Sequence, residues 1–282
     1  MWQDNNLMIA GEFMAQPTDL HARRFKLVLE FDGSRYRGWQ KQDDARSIQG
    51  SLLQAARTLY GPEADVQGSG RTDAGVHALR FTAHLEATTE ESADEMARRI
   101  NALLPGDINI LTAQRAGPRF HARHNCIGRS YLYQIARRRT AFCRHFVWQI
   151  DAPLHVGLMQ EAAAMLAGMH DFTSFTDRQV LKKKSPLVMV SRAEVVETEE
   201  LVLVRIVGSH FLWKMVRRIV GVLAEVGRGL LSPGEMRRFL EEAVDLSRFT
   251  APAQGLFFER AFYDQEELDR FLTAEPMRPN FF

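Results

Sequence analysis

The order of patterned segments in this 282-residue chain predicts an α+β fold in which a split βαβ unit occurs twice. Three observations carry that reading. Strand-type and helix-type periodicities follow one another as strand, helix, strand, strand, helix, strand, and the sequence then repeats that order loosely. The helical segments of the first half open on serines and stop at glycine or proline. A composition of 45% hydrophobic and 25% charged residues supports a folded body with a sizeable core.

FKLVLEFDG, from Phe25 to Gly33, alternates like a half-buried strand and ends in the turn pair Asp-Gly. Ser47 caps a helix in which Ile48, Leu52, Leu53, Ala56 and Leu59 recur at helical spacing, and Gly61-Pro62 stops it. Ala64 to Thr89 reads as two short strands around a glycine-rich turn. Ser92 opens a second helix, acidic in its first turn and closed by Pro105-Gly106, and DINILTAQ returns as a strand. In the second half GRSYLYQIAR is a strand and HVGLMQEAAAMLAGMH a helix. LVMVSRAEVVETE and LVLVRIVG form a strand pair, FLWKMVRRIVGVLAEVGRG is a helix, and LFFERAFY a final strand. Residues 1–22 read as a loose leader, 23–115 as the first half, 116–264 as the second and 265–282 as a tail, with a connector near Ala113 to Pro118. The expected architecture is two RRM-like or ferredoxin-like halves that form one continuous, mixed, mostly antiparallel sheet backed by helices.

No apolar run approaches the roughly 18 residues of a membrane span, and the first residues lack the layout of a secretory signal. The reading is a soluble cytoplasmic protein. Cys126 and Cys143 are too few for a disulfide framework. Net charge is only +1, yet the charges are segregated. Between Asp107 and Asp151 there is no acid but eight arginines, including Arg115, Arg119, Arg123, Arg129 and Arg137 to Arg139. Arg178 to Ala193, with Lys182, Lys183 and Lys184, is also acid-free, as is Leu201 to Ala224, with Arg205, Lys214, Arg217 and Arg218. Aromatic residues lie among them. A near-neutral protein with a positive face is suited to a phosphate backbone, so a central nucleic-acid-binding cleft is expected.

The candidate chemistry lies in GSGRTDAGVHA, Gly68 to Ala78. Its glycines let backbone approach a ligand closely and leave one carboxylate, Asp73, at a tip two residues after Arg71. Thr-Asp-Ala-Gly is equally an ordinary turn, and the local pattern leaves both readings open.

GRTDAGVHA resembles the signature of the TruA-type tRNA pseudouridine synthases, and the resemblance extends over most of the chain. FDGSRYRGWQKQ is similar to an early element of that family at Asp32, Gly33, Tyr36, Gly38, Trp39, Gln40 and Gln42. LLPGDI, FHAR at Phe120 to Arg123, the strand around Tyr131, DFTSF and MVRRIVG follow in family order. The resemblance implies isomerisation of uridine to pseudouridine at positions 38, 39 and 40 of the tRNA anticodon arm, by a homodimer and without a cofactor. It implies Asp73 as the catalytic carboxylate and Tyr131 as the residue stacking near the uracil and helping proton transfer. Arg217 would be the ion-pair partner of Asp73, and Leu256 would pack on the base. Arg71 would fill the space left by the extruded nucleotide, and Phe120, His121, Arg123 and Arg129 would contact RNA.

The chemistry suits these roles, because the reaction is redox-neutral and one ionised carboxylate can serve as nucleophile or base. A nearby cation offsets the cost of enclosing that charge. Two other classes compete. A non-catalytic RNA-binding protein with RRM-like sheets would need no Asp73, and the chain lacks the Gly-Phe-x-Phe pattern of such a binder on a central strand. A metal hydrolase would use His121, His124, Cys126, Cys143 and His145, whose spacing is not a usual ligand pattern; no metal is expected. His77 reads as a packed or hydrogen-bonded histidine, Phe211 and Trp213 as core or helix packing or, alternatively, as RNA-stacking residues, and Lys182 to Lys184 as an RNA-gripping loop or a solvated turn.

Overall fold

The computed structural model of the protein describes residues 22–183, 185–274 and 276–280. The expected leader, apart from Ala22, and Lys184 of the lysine run lie outside the described residues.

In the first half, β1 (Ala22–Phe31) buries Phe25, Leu27, Leu29 and Phe31 and half-covers the residues between them, as its alternation predicts. Ser47 caps α1 (Ile48–Tyr60) by accepting from Gly50 N, and Gly61 ends it at φ +88. β2 (Asp65–Gly68) and β3 (His77–Thr88) flank the glycine-rich loop. Ser92 caps α2 (Ala93–Leu103) through Glu95 N, and β4 (Ile108–Ala116) completes the half. The stretch read as a connector is thus strand through Ala116, where Arg24 pairs with it; the crossing segment is 117–127.

The second half contains β5 (Gly128–Ala136), a two-residue β6 (Trp148–Gln149), α3 (Val156–Ala164) and β7 (Gly168–Asp171). It continues with a one-turn α4 (Arg178–Leu181), β8 (Leu187–Glu197), β9 (Leu201–Gly208) and α5 (Met215–Gly227). It ends with α6 (Gly234–Glu241), β10 (Leu256–Phe262) and α7 (Gln265–Ala274). α5 starts later than its apolar spacing predicts, because Lys214 sits in the left-handed region at φ 61 and breaks the run before Met215. Residues 265–274, set aside as tail, form α7, which packs Leu268 and Phe271 on Val207 and Phe262.

The strands form one ten-stranded sheet in the order β4-β1-β3-β10-β5-β9-β8-β7, with β2 on β3 and β6 on β5. Both halves share one local order: β4-β1-β3-β2 in the first and β10-β5-β9-β8 in the second. All pairings are antiparallel except β3 with β10 and β5 with β6. β1 pairs along nearly the whole of one edge of β3, so β2 and β10 share the other. β2 takes residues 83–86 and β10 takes only His77 and Ala78. Residues 69–76 emerge in the wedge between them, at the seam of the two halves. The main apolar cluster joins Phe25, Leu27, Phe81, Tyr131, Tyr133, Val204 and Ile206 to the buried sides of α1, α2, α3, α5 and α6. The opposite face of β5 and β9 is covered around Leu132, Leu203 and Phe257, which is why those strands are buried on both sides. No helix among the described residues is long and apolar enough to cross a membrane.

Candidate active site

The loop carrying Asp73 is clamped by the segment after β1. Trp39 N donates to the Thr72 carbonyl at 3.2 Å and Gly75 N to the Tyr36 carbonyl at 3.3 Å, while Val76 N closes the turn on the Asp73 carbonyl at 3.2 Å. Such approach demands glycine. A Cβ on Gly33 would lie 2.0 Å from the Val76 carbonyl oxygen, and one on Gly38, whose φ is +92, 2.2 Å from the Thr72 carbonyl oxygen. Trp39 stacks 4.2 Å from Phe81 across Gly68, where a Cβ would strike both rings at 2.6 Å. Tyr36 donates to Asp107 and anchors the clamp. His77, almost fully buried, accepts from Gly33 N at Nδ1 and lies 3.0 Å from the His145 carbonyl at Nε2. Burial pushes its pKa down, so it is a neutral, packed histidine, as read from the sequence.

Both oxygens of Asp73 are held from the second half. Arg217, in the first turn of α5, donates from Nη1 to Oδ2 at 3.0 Å, and its Nε donates to the Ala251 carbonyl at 2.7 Å. Trp213 donates from Nε1 to Oδ1, also at 3.0 Å. The side chains are 25% exposed for Asp73 and 15% for Arg217, so the pair is sheltered but reachable. Tyr131 is buried and lies edge-on to Phe211 at 5.1 Å and to Phe258 at 5.2 Å. Burial pushes its phenol well up, and the charge of Asp73 adds to that against the opposing Arg129, so it is neutral and retains its proton near neutral pH. Leu256, the first residue of β10, completes the wall.

These residues line an open cleft of about 1360 Å³, larger than the usual small-molecule pocket. Asp73 is the only acid among the lining residues. Arg37, Arg71, Arg123, Arg129, Lys182, Lys183, Lys214 and Arg217 also line it. Arg71 and Arg123 are exposed, and the basic side chain of Arg123 is pulled down by partial burial and by the neighbouring Arg71 and Arg129 charges. Lys182 and Lys183 are exposed on the rim.

Three residues taken as RNA contacts have other surroundings. Arg129 is buried: its Nε and Nη2 donate to the Ser69 carbonyl at 3.2 and 2.8 Å, Nη1 to Ser209 O at 2.9 Å, and Nη2 also to Arg123 O at 3.2 Å. It therefore ties the start of the Asp73 loop to the second half. Phe120 and His121 do not line the cleft; Phe120 packs on Tyr263 at 5.3 Å and His121 on His84 at 4.7 Å. Cys126 donates to the Gly128 carbonyl, and among the described residues no three His, Cys, Asp or Glu side chains are grouped to hold a metal. Trp213 is 47% exposed and lines the cleft, so of its two readings core packing does not hold. Nothing in the local pattern marks its role, because the hydrogen bond to Asp73 spans 140 residues.

Fold and site together describe an enzyme cleft with one oriented carboxylate in a surface shaped and charged for a polyanion. A profile of the family described as tRNA pseudouridine synthase matches residues 27–125 and 162–264. Proteins named tRNA pseudouridine synthase A are similar over most of their length. The one from Maricaulis maris is 39% identical over 245 residues, 85% of this chain and 98% of the relative. The one from Geobacillus kaustophilus is 37% identical over 249 residues, 86% and 96%. That from Zymomonas mobilis is 36% identical over 244 residues, 85% and 99%. The chain belongs to the tRNA pseudouridine synthase family, in its TruA branch, and is an isomerase.

Proposed function

We propose that the protein converts uridine to pseudouridine at positions 38, 39 and 40 of the tRNA anticodon arm, with Asp73 as the reacting carboxylate and no cofactor. The observation that carries this reading is Asp73 itself: the sole acid among the described residues that line a strongly basic cleft, with one donor on each oxygen. The reaction cleaves the bond from uracil N1 to the sugar, turns the base and joins C5 to the same sugar carbon; C5 gives up its proton and N1 takes one up, so atoms and electrons balance. An ionised carboxylate acts as nucleophile or base in this sequence. Arg217 keeps the charge compensated and the carboxylate oriented, and the neutral Tyr131 phenol supplies a flat neighbour for the base and a proton near it. The target nucleotide must leave the helical stack to reach Asp73; Arg71, exposed two residues away, fills the space it leaves. The remaining cations hold flanking phosphates.

The proposal includes action in the cytoplasm and a homodimer whose subunits share one RNA; sedimentation across a concentration series checks the assembly. The activity is tested by incubating anticodon-arm RNA with purified protein in the presence of a chelator and mapping pseudouridine by nucleotide. Wild type is expected to modify the three positions, and Asp73→Asn to modify none while RNA affinity stays within a few-fold. Tight binding without product from wild type would support the non-catalytic RNA-binding reading instead, and loss of product on chelation a metal-dependent one.

A further inference from the structure

We infer that Trp213 is a positioning residue for Asp73: its indole N–H fixes the carboxylate plane and holds its charge, while its ring stays exposed to the cleft. The inference rests on Asp73 being the reacting group.

Arg217 alone would leave the carboxylate free to swivel about the bond to its β-carbon. It contributes one N–H, from Nη1 to Oδ2, because its Nε is committed to the Ala251 carbonyl. The bond from Trp213 Nε1 to Oδ1 holds the other oxygen at the same 3.0 Å distance, so two donors from one short segment clamp both ends of the group. An indole has one donor and no acceptor, and this one is spent on Asp73. The backbone around it is shaped for the purpose. Lys214 takes the left-handed conformation at φ 61 directly after Trp213, which turns the chain into α5, and Trp213 and Arg217 on either side of that turn reach the same carboxylate. The Lys214 ammonium lies over the Trp213 ring, 4.1 Å from its centroid, and packs on the indole. For a residue that merely filled the core, half exposure would be an odd outcome; for one that orients a reacting group at the mouth of a cleft, it is what the task requires.

The titratable and charged groups that line the cleft with Asp73 are Arg37, Arg71, Arg123, Arg129, Tyr131, Lys182, Lys183, His210, Lys214 and Arg217. None of them is itself substituted when Trp213 is replaced by an aromatic ring without a donor, so a difference between wild type and variant reports the indole N–H. Trp213→Phe keeps an aromatic ring and removes the N–H.

The test measures single-turnover isomerisation of anticodon-arm RNA for wild type, Trp213→Phe and Trp213→Ala, with RNA affinity in parallel. Trp213→Phe is expected to lower the plateau rate roughly three- to tenfold, with affinity within twofold. Trp213→Ala should be no better than Trp213→Phe. A Trp213→Phe protein with wild-type rate overturns the inference, as does one that loses only affinity. Wild-type protein without turnover would instead sink the isomerase reading on which it rests. A measurement without RNA keeps the geometry falsifiable on its own: the Trp213 Nε1–H resonance, assigned by its loss in Trp213→Phe, should move in Asp73→Ala. An unmoved resonance overturns the inference.

Discussion

Replacing Gly38 by alanine adds one methyl group 35 residues before Asp73 in the sequence, yet the structure makes it a test of the whole loop. The new Cβ would lie 2.2 Å from the Thr72 carbonyl oxygen and 3.0 Å from the Asp73 carbonyl carbon, both backbone atoms that no rotamer change can clear. Relief needs a shift on the order of 1 Å, and the φ of +92 adds about 1–2 kcal/mol of backbone strain for any residue with a side chain. Thr72 also accepts from Trp39 N at 3.2 Å, so the loop cannot retreat without opening that bond. A 1 Å displacement of Asp73 would stretch its 3.0 Å bonds to Arg217 and Trp213 beyond hydrogen-bonding range. The expected result is a single-turnover rate lower by about 100-fold or more, with RNA affinity within a few-fold, because the cations of the cleft remain in place. The stability loss is about 2–4 kcal/mol, read as a lower thermal midpoint. Near wild-type turnover in Gly38→Ala would refute the idea that the segment after β1 sets the position of Asp73.

Arg217→Ala should lower turnover by about 100-fold or more and RNA affinity by little, and Arg217→Lys should recover only part of it, since an ammonium cannot serve Asp73 and the Ala251 carbonyl with a planar fork. Arg129→Ala should destabilise the fold by about 3 kcal/mol through its lost bonds to Ser69, Ser209 and Arg123, measured by denaturant unfolding. Its salt dependence of RNA binding should stay that of wild type, whereas Arg71→Ala and Lys182→Ala should each reduce the slope of log K against log salt by about one unit. His84 is buried with Nδ1 accepting from Ala122 N, and burial, then His121 and Arg24, pushes its pKa down to about 4. A depressed folded-state pKa gives stability that is present above the ordinary value near 6.5 and is lost as pH falls from there to about 4. The loss is on the order of 2–3 kcal/mol, and His84→Asn should flatten the thermal midpoint across that window relative to wild type.

Much of this fold is legible in the sequence because its signals are local. Ser47 and Ser92 cap helices through bonds that stay within a single turn, Gly61 stops α1 where its spacing ends, and β1 alternates because only one of its faces meets the helices. β7 is missed because Gly168, Met169, His170 and Asp171 carry no β-branched residue and follow an apolar helix without a clear break; their strand state comes from pairing with 187–190 of β8. α7 is missed because its apolar residues make sense only against Val207 and Phe262, which lie on a face whose exposure the sequence does not reveal. The site divides the same way. The glycine-flanked turn is visible as a pattern, but its partners on α5 and at Trp213 lie 144 and 140 residues away and are tertiary facts. Arg217 is legible through resemblance to a family; Trp213 is legible as an aromatic among basic residues, but its bond to Asp73 is not. Arg129 shows the converse: its charge is plain in the sequence, and its burial against three carbonyls is not.

The position of β10 explains why the carboxylate and its partners come from different halves. This last strand pairs antiparallel with β5 along most of its length, but parallel with β3 only at His77 and Ala78. The weld between the halves is therefore short in backbone terms, and beyond it β3 gives its edge to β2. The wedge that results leaves room for a loop that no strand neighbour constrains from that side. Such a loop would be mobile if held only by its ends. Instead Gly33 and Gly38 let the first half grip it from behind, Arg129 ties Ser69 to the second half, and Arg217 and Trp213 hold Asp73 itself. Each restraint acts on backbone or carboxylate oxygens and leaves the exposed side chain of Arg71 outside the clamp. The proposed reaction would need that division of labour, a carboxylate that stays in place beside a cation that moves as the nucleotide is drawn out.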